Sequence, residues 1–336
     1  MVEPMNFDNM PQNETIMNAM LKCRRILERH ERVMVSVSGG SDSDIMLDMI
    51  ERCKCDRNVI DYVFFDTGIE FDATKRHLVE LEEKYGIEIK REKPEKTVPA
   101  ACKIEGQPFL TKTVSENIQR LQKHGFDFND KSFEENDGKF GRCKSALKWW
   151  TNANGKESQF NIERRSWLKE FMLENPIPFK VSNKCCTYAK KDLAKKYKKE
   201  HTIDLSCQGI RRAEGGQRQT IYKDCFTQGE VGEVDEFRPI YWLNDGDKAE
   251  YKKFYGLRYS DCYEVYGMKR TGCTGCPYAR DFREELAVVD KYEPKLSVAI
   301  RNIFKDTYAY QEAYFNFRDK MKEEHGGYMS YEGKKN

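Results

Sequence analysis

The sequence predicts an α/β fold: a doubly wound, mostly parallel sheet with a mainly helical insert and a helical C-terminal part. Three observations carry that expectation. Short β-rich runs alternate with amphipathic helical stretches over roughly the first 95 residues, as right-handed βαβ crossovers require. A polar and aromatic stretch from Lys96 to about Phe160 interrupts the alternation, and the run "TIDLSCQG" restores it before a mostly helical end.

Taken in order, residues 14–30 place Ile16, Met17, Met20, Leu21, Ile26 and Leu27 at helical spacing, a stripe read as facing a core. Then come a strand at Val33 to Ser38, a helix at Asp42 to Arg52, a strand "YVFFD" at Tyr62 to Asp66, a helix at Asp72 to Tyr85 and a strand "IEIKRE". The interrupting stretch holds one helix, in "TVSENIQRLQKHGF", and a tryptophan pair, Trp149 and Trp150, read as core rather than as a stacking platform. A helix over Ile162 to Leu173 follows, and then one over Cys185 to Glu200 whose many lysines read as a solvated face. The stretch from Phe282 to Glu324 is mostly helical.

With 336 residues the chain is long enough for a proper core. Charged residues make up 34% of it but nearly cancel, to a formal +2, which excludes a polyelectrolyte that coats nucleic acid, so any basic site is local. No run of about 18 apolar residues exists, and "MVEPMNFDNMPQNET" has neither a basic start nor an apolar h-region. A cytoplasmic protein without membrane contact is expected. Its twelve cysteines then point to metal or redox roles rather than to a disulfide framework.

In "RVMVSVSGGSDSDIMLDMI", Arg32 to Ile50, the glycines fall at a strand-to-helix turn. An anion held there needs main-chain N–H groups, a positive helix end, and glycine where the ligand approaches the chain. Ser38, Gly39, Gly40, Ser41, Asp42 and Ser43 supply these, the three serines adding hydroxyls and Asp42 either capping the helix or helping to hold a metal-bound phosphate. Neither the G-x-x-x-x-G-K-[ST] nor the G-x-G-x-x-G spacing is present. Two cysteine pairs also have a spacing: Cys185 and Cys186 in "SNKCCTYAKKD", and Cys273 and Cys276 in "RTGCTGCPYA". Four thiolates suit zinc or an iron–sulfur cluster. Adjacent cysteines are an awkward bite for one zinc ion, which favours [4Fe–4S], with Lys184, Lys190, Lys191 and Arg270 near in sequence to offset its charge.

With these motifs in view the chain resembles the phosphoadenosine phosphosulfate (PAPS) reductase family of PP-loop proteins, the adenine nucleotide α-hydrolase-like group with a Rossmann-like sheet. "SGGSDS" resembles its S-G-G-x-D-S loop, "FFDTGIEFDAT" its D-T-G-x-E-F-x-x-T segment, and "KCCTYAKK" its first cluster pair. "GIRRAEGGQR" is similar to G-x-R-x-x-E-S-x-x-R, and "FRPIYWLNDGDKAEYKKFYGL" to the P-I-x-x-W stretch before the second pair in "RTGCTGCP". The matches run in order from Ser38 to Pro277.

The resemblance implies a domain order of 1–95 as the first half of a nucleotide-binding domain, 96–160 as insert or lid, 161–280 as the second half with the cluster cysteines, and 281–336 as a helical extension. It implies that residues 38–43 bind the phosphates of ATP or a PAPS-type nucleotide, that Asp66, Thr67 and Gly68 line an adenosine pocket, and that Gly209, Arg211, Arg212 and Arg218 serve the anionic end. Ser38, Asp42, Ser43, Arg211 and Arg218 are the catalytic candidates. Reductases of the family commonly carry lysine where this chain has Ser41, glutamate-serine where it has Glu214-Gly215, and a cysteine in a C-terminal E-C-G-x-H segment, whereas here the last cysteine is Cys276.

The expected chemistry is therefore ATP cleavage between the α and β phosphates with Mg²⁺, adenylation of an acceptor oxygen, and sulfur transfer to that acceptor, a nucleic acid or protein, from a donor such as a cysteine desulfurase. A homodimer is compatible with this scheme. Two alternatives stand beside it: a sulfonucleotide reductase with a relocated nucleophile at Cys102, Cys143 or Cys225, and a nucleotide-binding scaffold whose cluster is structural.

Overall fold

Val33, Met34 and Val35 form an unbroken apolar run with almost no exposure, which marks β1 (Arg32–Ser36) as a strand covered on both faces. In this computed structural model, which describes residues 2–156 and 158–325 but not the side chains of Phe7 and residues 216–218, β1 pairs in parallel with β2 (Val59–Phe65) and β4 (Leu205–Gln208). β3 (Ile89–Glu92) lies parallel to β2, β6 (Asp235–Phe237) parallel to β4, and only β5 (Phe226–Thr227) runs antiparallel, against β6. The sheet order is β3-β2-β1-β4-β6-β5. Strand order therefore reverses direction at β1 and β4, the switch point at which open α/β sheets leave a crevice beyond their carboxyl ends. The expected doubly wound, mostly parallel sheet is present. β5 and β6 were not foreseen, because two and three residues are too short for a readable period.

α1 (Glu14–Leu27), α2 (Ser41–Cys53), α3 (Asp72–Tyr85) and α4 (Asp245–Phe254) flank the sheet. α2 is buried along nearly its whole surface, so even its polar residues Asp48 and Arg52 are interior. They are satisfied there: Arg52 Nε donates to Asp48 Oδ2 at 2.7 Å, and the Tyr85 and Tyr251 hydroxyls donate to the same carboxylate at 2.9 Å each. α4 begins with a capping box, Asn244 and Asp247 bonding reciprocally.

Two compact units divide the chain, each from two segments: Met1–Thr97 with Ala189–Thr274, and Val98–Tyr188 with Gly275–Asn336. The whole sheet belongs to the first. Residues 161–188, expected with the sheet, and 281–325 of the expected helical extension fall in the second unit. That unit has its own core, including Phe109, Ile118, Leu147, Trp150, Phe171 and Tyr310, and its C-terminal part is helical over Phe282–Tyr292, Pro294–Ile303 and Lys305–His325.

Two expected helices are interrupted. Between Ile162 and Leu173 the chain makes a 3₁₀ turn at Ile162–Arg164, passes through Trp167 at φ 61°, and becomes α-helical only at Leu168–Glu174. The Ser166 carbonyl accepts the Tyr314 hydroxyl at 2.9 Å instead of a helical N–H. The stretch from Lys184 to Glu200 carries a π-helical segment at Thr187–Asp192 directly after the cysteine pair, a distortion often found at functional sites. Trp149 and Trp150 are core residues, and Trp150 Nε1 donates to the Asn129 carbonyl at 2.7 Å. Among the described residues no helix is long and apolar enough to cross a membrane.

Candidate phosphate loop and thiol pocket

The turn between β1 and α2 is shaped by its two glycines. Gly39 has φ +66°, and a Cβ there would lie 2.8 Å from Thr74 Cγ2, so both conformation and space demand glycine. Gly40 is the N-cap residue of α2 and brings no side-chain cap, which leaves the positive helix end to other groups. A Cβ on Gly40 would stand 3.1 Å from Thr271 Oγ1 and 3.3 Å from the Tyr263 hydroxyl, two groups that hydrogen-bond each other at 3.0 Å. The Ser38 N–H donates to Ser43 Oγ at 2.8 Å and closes the turn onto the helix. Gly209, just past β4, lets that strand end approach the first turn of α2, since a Cβ there would meet Asp42 C and O and Ser43 Cα at 3.1 Å each.

Asp42 does not cap the helix, because the cap position is Gly40. Its Oδ1 instead accepts from Arg211 Nε at 2.9 Å and from Lys248 Nζ at 2.6 Å, and the same ammonium donates to Ser41 Oγ at 2.6 Å. Arg211 is 7% exposed and is also held by Asp245 Oδ1 at 2.9 Å. These carboxylates keep its guanidinium charged against a burial that opposes it. Its neighbour Arg212 is exposed and stacks over the Trp242 ring at 5.5 Å. The side chain of Arg218 lies outside the described residues.

Sequence reading missed Lys248, Tyr263 and Thr271. "NDGDKAEY" announces a helix start, but nothing in it ties a lysine to a loop 207 positions away.

At the end of β2, the Gly68 N–H donates to Asp66 Oδ1 at 2.9 Å, and Gly68 takes φ +86°. Thr67 is fully buried and its hydroxyl donates to Glu70 Oε1 at 2.6 Å. Burial pushes the Glu70 carboxyl above its ordinary range, with the Lys190 ammonium opposing. Asp66, Thr67 and Gly68 thus sit at the carboxyl end of a strand next to β1, as expected of crevice residues.

In the second unit, the neighbouring Cys102 holds the Cys185 thiol well above its ordinary value; Cys186 opposes, burial adds, and Cys276 lies within electrostatic reach. The Tyr278 phenol, raised by burial, feels Cys185, Cys186 and Cys276 together. Cys273 belongs to the first unit. The donor chemistry suits a thiophilic iron–sulfur cluster. Among the described residues, however, no group of three or more His, Cys, Asp or Glu side chains is already arranged to hold a metal ion. Cys102, Cys143 and Cys225, the three candidate nucleophiles, are 5%, 3% and 3% exposed, and burial raises the thiols of Cys143 and Cys225.

A glycine turn thus stands at the switch point of a parallel sheet, met by an arginine from just beyond β4. Residues 32–127 match the family model of the phosphoadenosine phosphosulfate reductase domain. A 59-residue stretch is 44% identical to an uncharacterized protein of Methanocaldococcus jannaschii and covers 18% of this chain and 12% of that protein's length. Among solved structures, the chain is similar to the PAPS reductase from Candida auris in its phosphate complex (TM-score 0.40, 14% identity, 80% of this chain and 97% of that one). It is also similar to the U34-tRNA thiolase NcsA from Methanococcus maripaludis with its [4Fe-4S] cluster (TM-score 0.39, 15% identity, 91% of this chain and 80% of that one).

Proposed function

We propose that this protein is an ATP-consuming PP-loop enzyme of sulfur metabolism: it cleaves ATP between the α and β phosphates, releases pyrophosphate, and transfers the adenylyl group to an oxygen of an acceptor that then receives sulfur. The observation that carries this reading is the convergence of Arg211 and Lys248 on a glycine turn whose helix end has no side-chain cap. Main-chain amides of residues 39–43 would hold the departing phosphates, and the two cations would neutralise charge that builds up as the α–β bond breaks. Ser38 and Ser43 would position the loop, and Asp42 would help to hold Mg²⁺, which would neutralise phosphate charge. Asp66, Thr67, Gly68 and Gly209 would border the nucleoside.

Cys185, Cys186, Cys273 and Cys276 would hold a [4Fe–4S] cluster, which supplies a thiophilic centre able to bind a sulfur atom. The burial of Cys102, Cys143 and Cys225 supports ATP chemistry over a reductase with a relocated nucleophile, since an attacking thiolate needs access. The acceptor would be a nucleic acid or a protein, the sulfur donor a cysteine desulfurase or similar protein, and the setting the cytoplasm.

Anaerobic purification with iron and acid-labile sulfide analysis, followed by incubation with labelled ATP or PAPS, tests this reading. Pyrophosphate release from ATP, abolished by Gly40→Val, is the expected result; sulfite release from PAPS with a thiol donor would overturn it in favour of the reductase. Turnover of neither nucleotide would leave the scaffold.

A further inference from the structure

The glycine turn is poor in positive charge. From Val37 to Met49 the chain has no Lys, Arg or His, and the first turn of α2 carries two carboxylates, Asp42 and Asp44. Acids suit a helix N-terminus but repel a polyphosphate. Cations must therefore come from elsewhere in the fold. Arg211 is one, but it is divided between Asp42, Asp245 and the Leu243 carbonyl. Both hydrogen bonds of the Lys248 ammonium go to the loop, to Ser41 Oγ and Asp42 Oδ1 at 2.6 Å each. Its side chain is only 16% exposed and passes over the Tyr259 ring, 5.6 Å from the centroid. The hydroxyl of Tyr259, itself 7% exposed, has no hydrogen-bond partner among the described residues, and buried polar groups of that kind call for an explanation such as a ligand or water.

We propose that Lys248 is the residue that reads the ligand's anionic tail at this turn, with the Asp42 carboxylate as the group a phosphate oxygen displaces from its ammonium. The proposal rests on the nucleotide reading above and deepens it, because it names the part of the ligand recognised. A lysine has a flexible four-carbon stem and a compact charge, so its ammonium can move from carboxylate to phosphate without movement of α4. A tail of at least two anionic groups is needed to engage Arg211 and Lys248 together, so a polyphosphate should depend on Lys248 and a monophosphate much less. Lys252, one turn further along α4, provides an internal control: it has the same charge and lies over the same Tyr259 ring, 4.4 Å from the centroid, but its hydrogen bond goes to Glu264 at 2.6 Å and not to Ser41 or Asp42.

The test is calorimetric titration of the full chain with inorganic tripolyphosphate, ATP, PAPS and AMP. Lys248→Ala should weaken tripolyphosphate and ATP about tenfold to a hundredfold, the usual effect of losing one charge-assisted bond. Lys248→Arg should stay within about threefold of the native chain, and Lys252→Ala and AMP binding should barely change. Should Lys248→Ala fail to fold, Lys248→Gln keeps the stem and carries the same comparison. Equal tripolyphosphate affinity in native and Lys248→Ala protein would overturn the proposal, as would an equal loss in Lys252→Ala or no tripolyphosphate binding by the native chain. Tripolyphosphate binding that depends on Lys248, without any binding of ATP or PAPS, would uphold the role of Lys248 and reject the nucleotide reading.

Discussion

The glycine turn and the thiol pocket lie in different units and differ in how much of each is assembled by the polypeptide itself. At the turn, every element has a partner of the chain's own: Ser38 closes onto Ser43, Gly209 abuts the main chain of Asp42 and Ser43, and two cations share Asp42. In the second unit Cys102, Cys185, Cys186 and Cys276 are neighbours, yet no three ligating groups among the described residues are arranged for a metal. A main-chain anion site is fixed as soon as strand and helix form. A thiolate site gathers side chains from separate segments, and metal binding supplies part of its order.

The largest expected effect tests the thiol side. Cys185→Ser and Cys276→Ser, purified anaerobically, should lose iron from about four per chain to below one, while urea unfolding of the metal-free proteins shifts by less than about 1 kcal/mol. A large loss of metal-free stability would mean that the chain has already built this pocket, and the contrast with the turn would disappear. Next in size is Asp48→Ala, which leaves Arg52 buried without its carboxylate and removes the acceptor of Tyr85 and Tyr251. It should cost about 3–5 kcal/mol in urea unfolding, because α2 is the platform on which the turn stands. Gly209→Val follows: a side chain 3.1 Å from the main chain of Asp42 and Ser43 should displace the loop at a cost of about 1–3 kcal/mol, read as tighter dependence of ATP affinity on Mg²⁺ and a weaker Kd. Unchanged affinity would show that the turn is softer than its contacts imply.

The same contrast explains what could be read from sequence. Strand–helix alternation through β3, the glycine turn and the restored strand β4 were legible because each is a local pattern of period or turn chemistry. Arg211 was found through a resemblance spanning the chain, not through its contacts. Lys248 was invisible, since its meeting with Ser41 joins positions 207 apart and depends on the sheet order. The break at Trp167 was hidden for a related reason: the apolar spacing of Ile162 to Leu173 is helical, whereas the Ser166 carbonyl is taken by the Tyr314 hydroxyl, 148 positions away. β5 and β6 are set by their neighbours in the sheet, not by their own two and three residues.

The smallest effect concerns the support beneath the turn. His77, 3% exposed, contacts Asp44 Oδ2 through Nε2 at 2.8 Å and Glu80 Oε2 through Nδ1 at 3.1 Å. Burial alone would lower its pKa, but these two carboxylates outweigh burial and hold it above the ordinary 6.5. A histidine raised in the folded state contributes stability that is complete below its unfolded value and is lost as pH climbs through the higher folded one. The Asp44 carboxyl is itself raised, burial being the larger cause and His77 opposing it, so its own contribution weakens as pH rises from the ordinary carboxylate range. Urea midpoints should therefore fall as pH rises past 6.5, and His77→Gln should flatten that slope. Because Asp44 donates its N–H to the Gly40 carbonyl at 3.0 Å, ATP affinity should decline over the same window if the turn leans on this pair. A flat native profile would show that the turn is held by its glycines and cations alone.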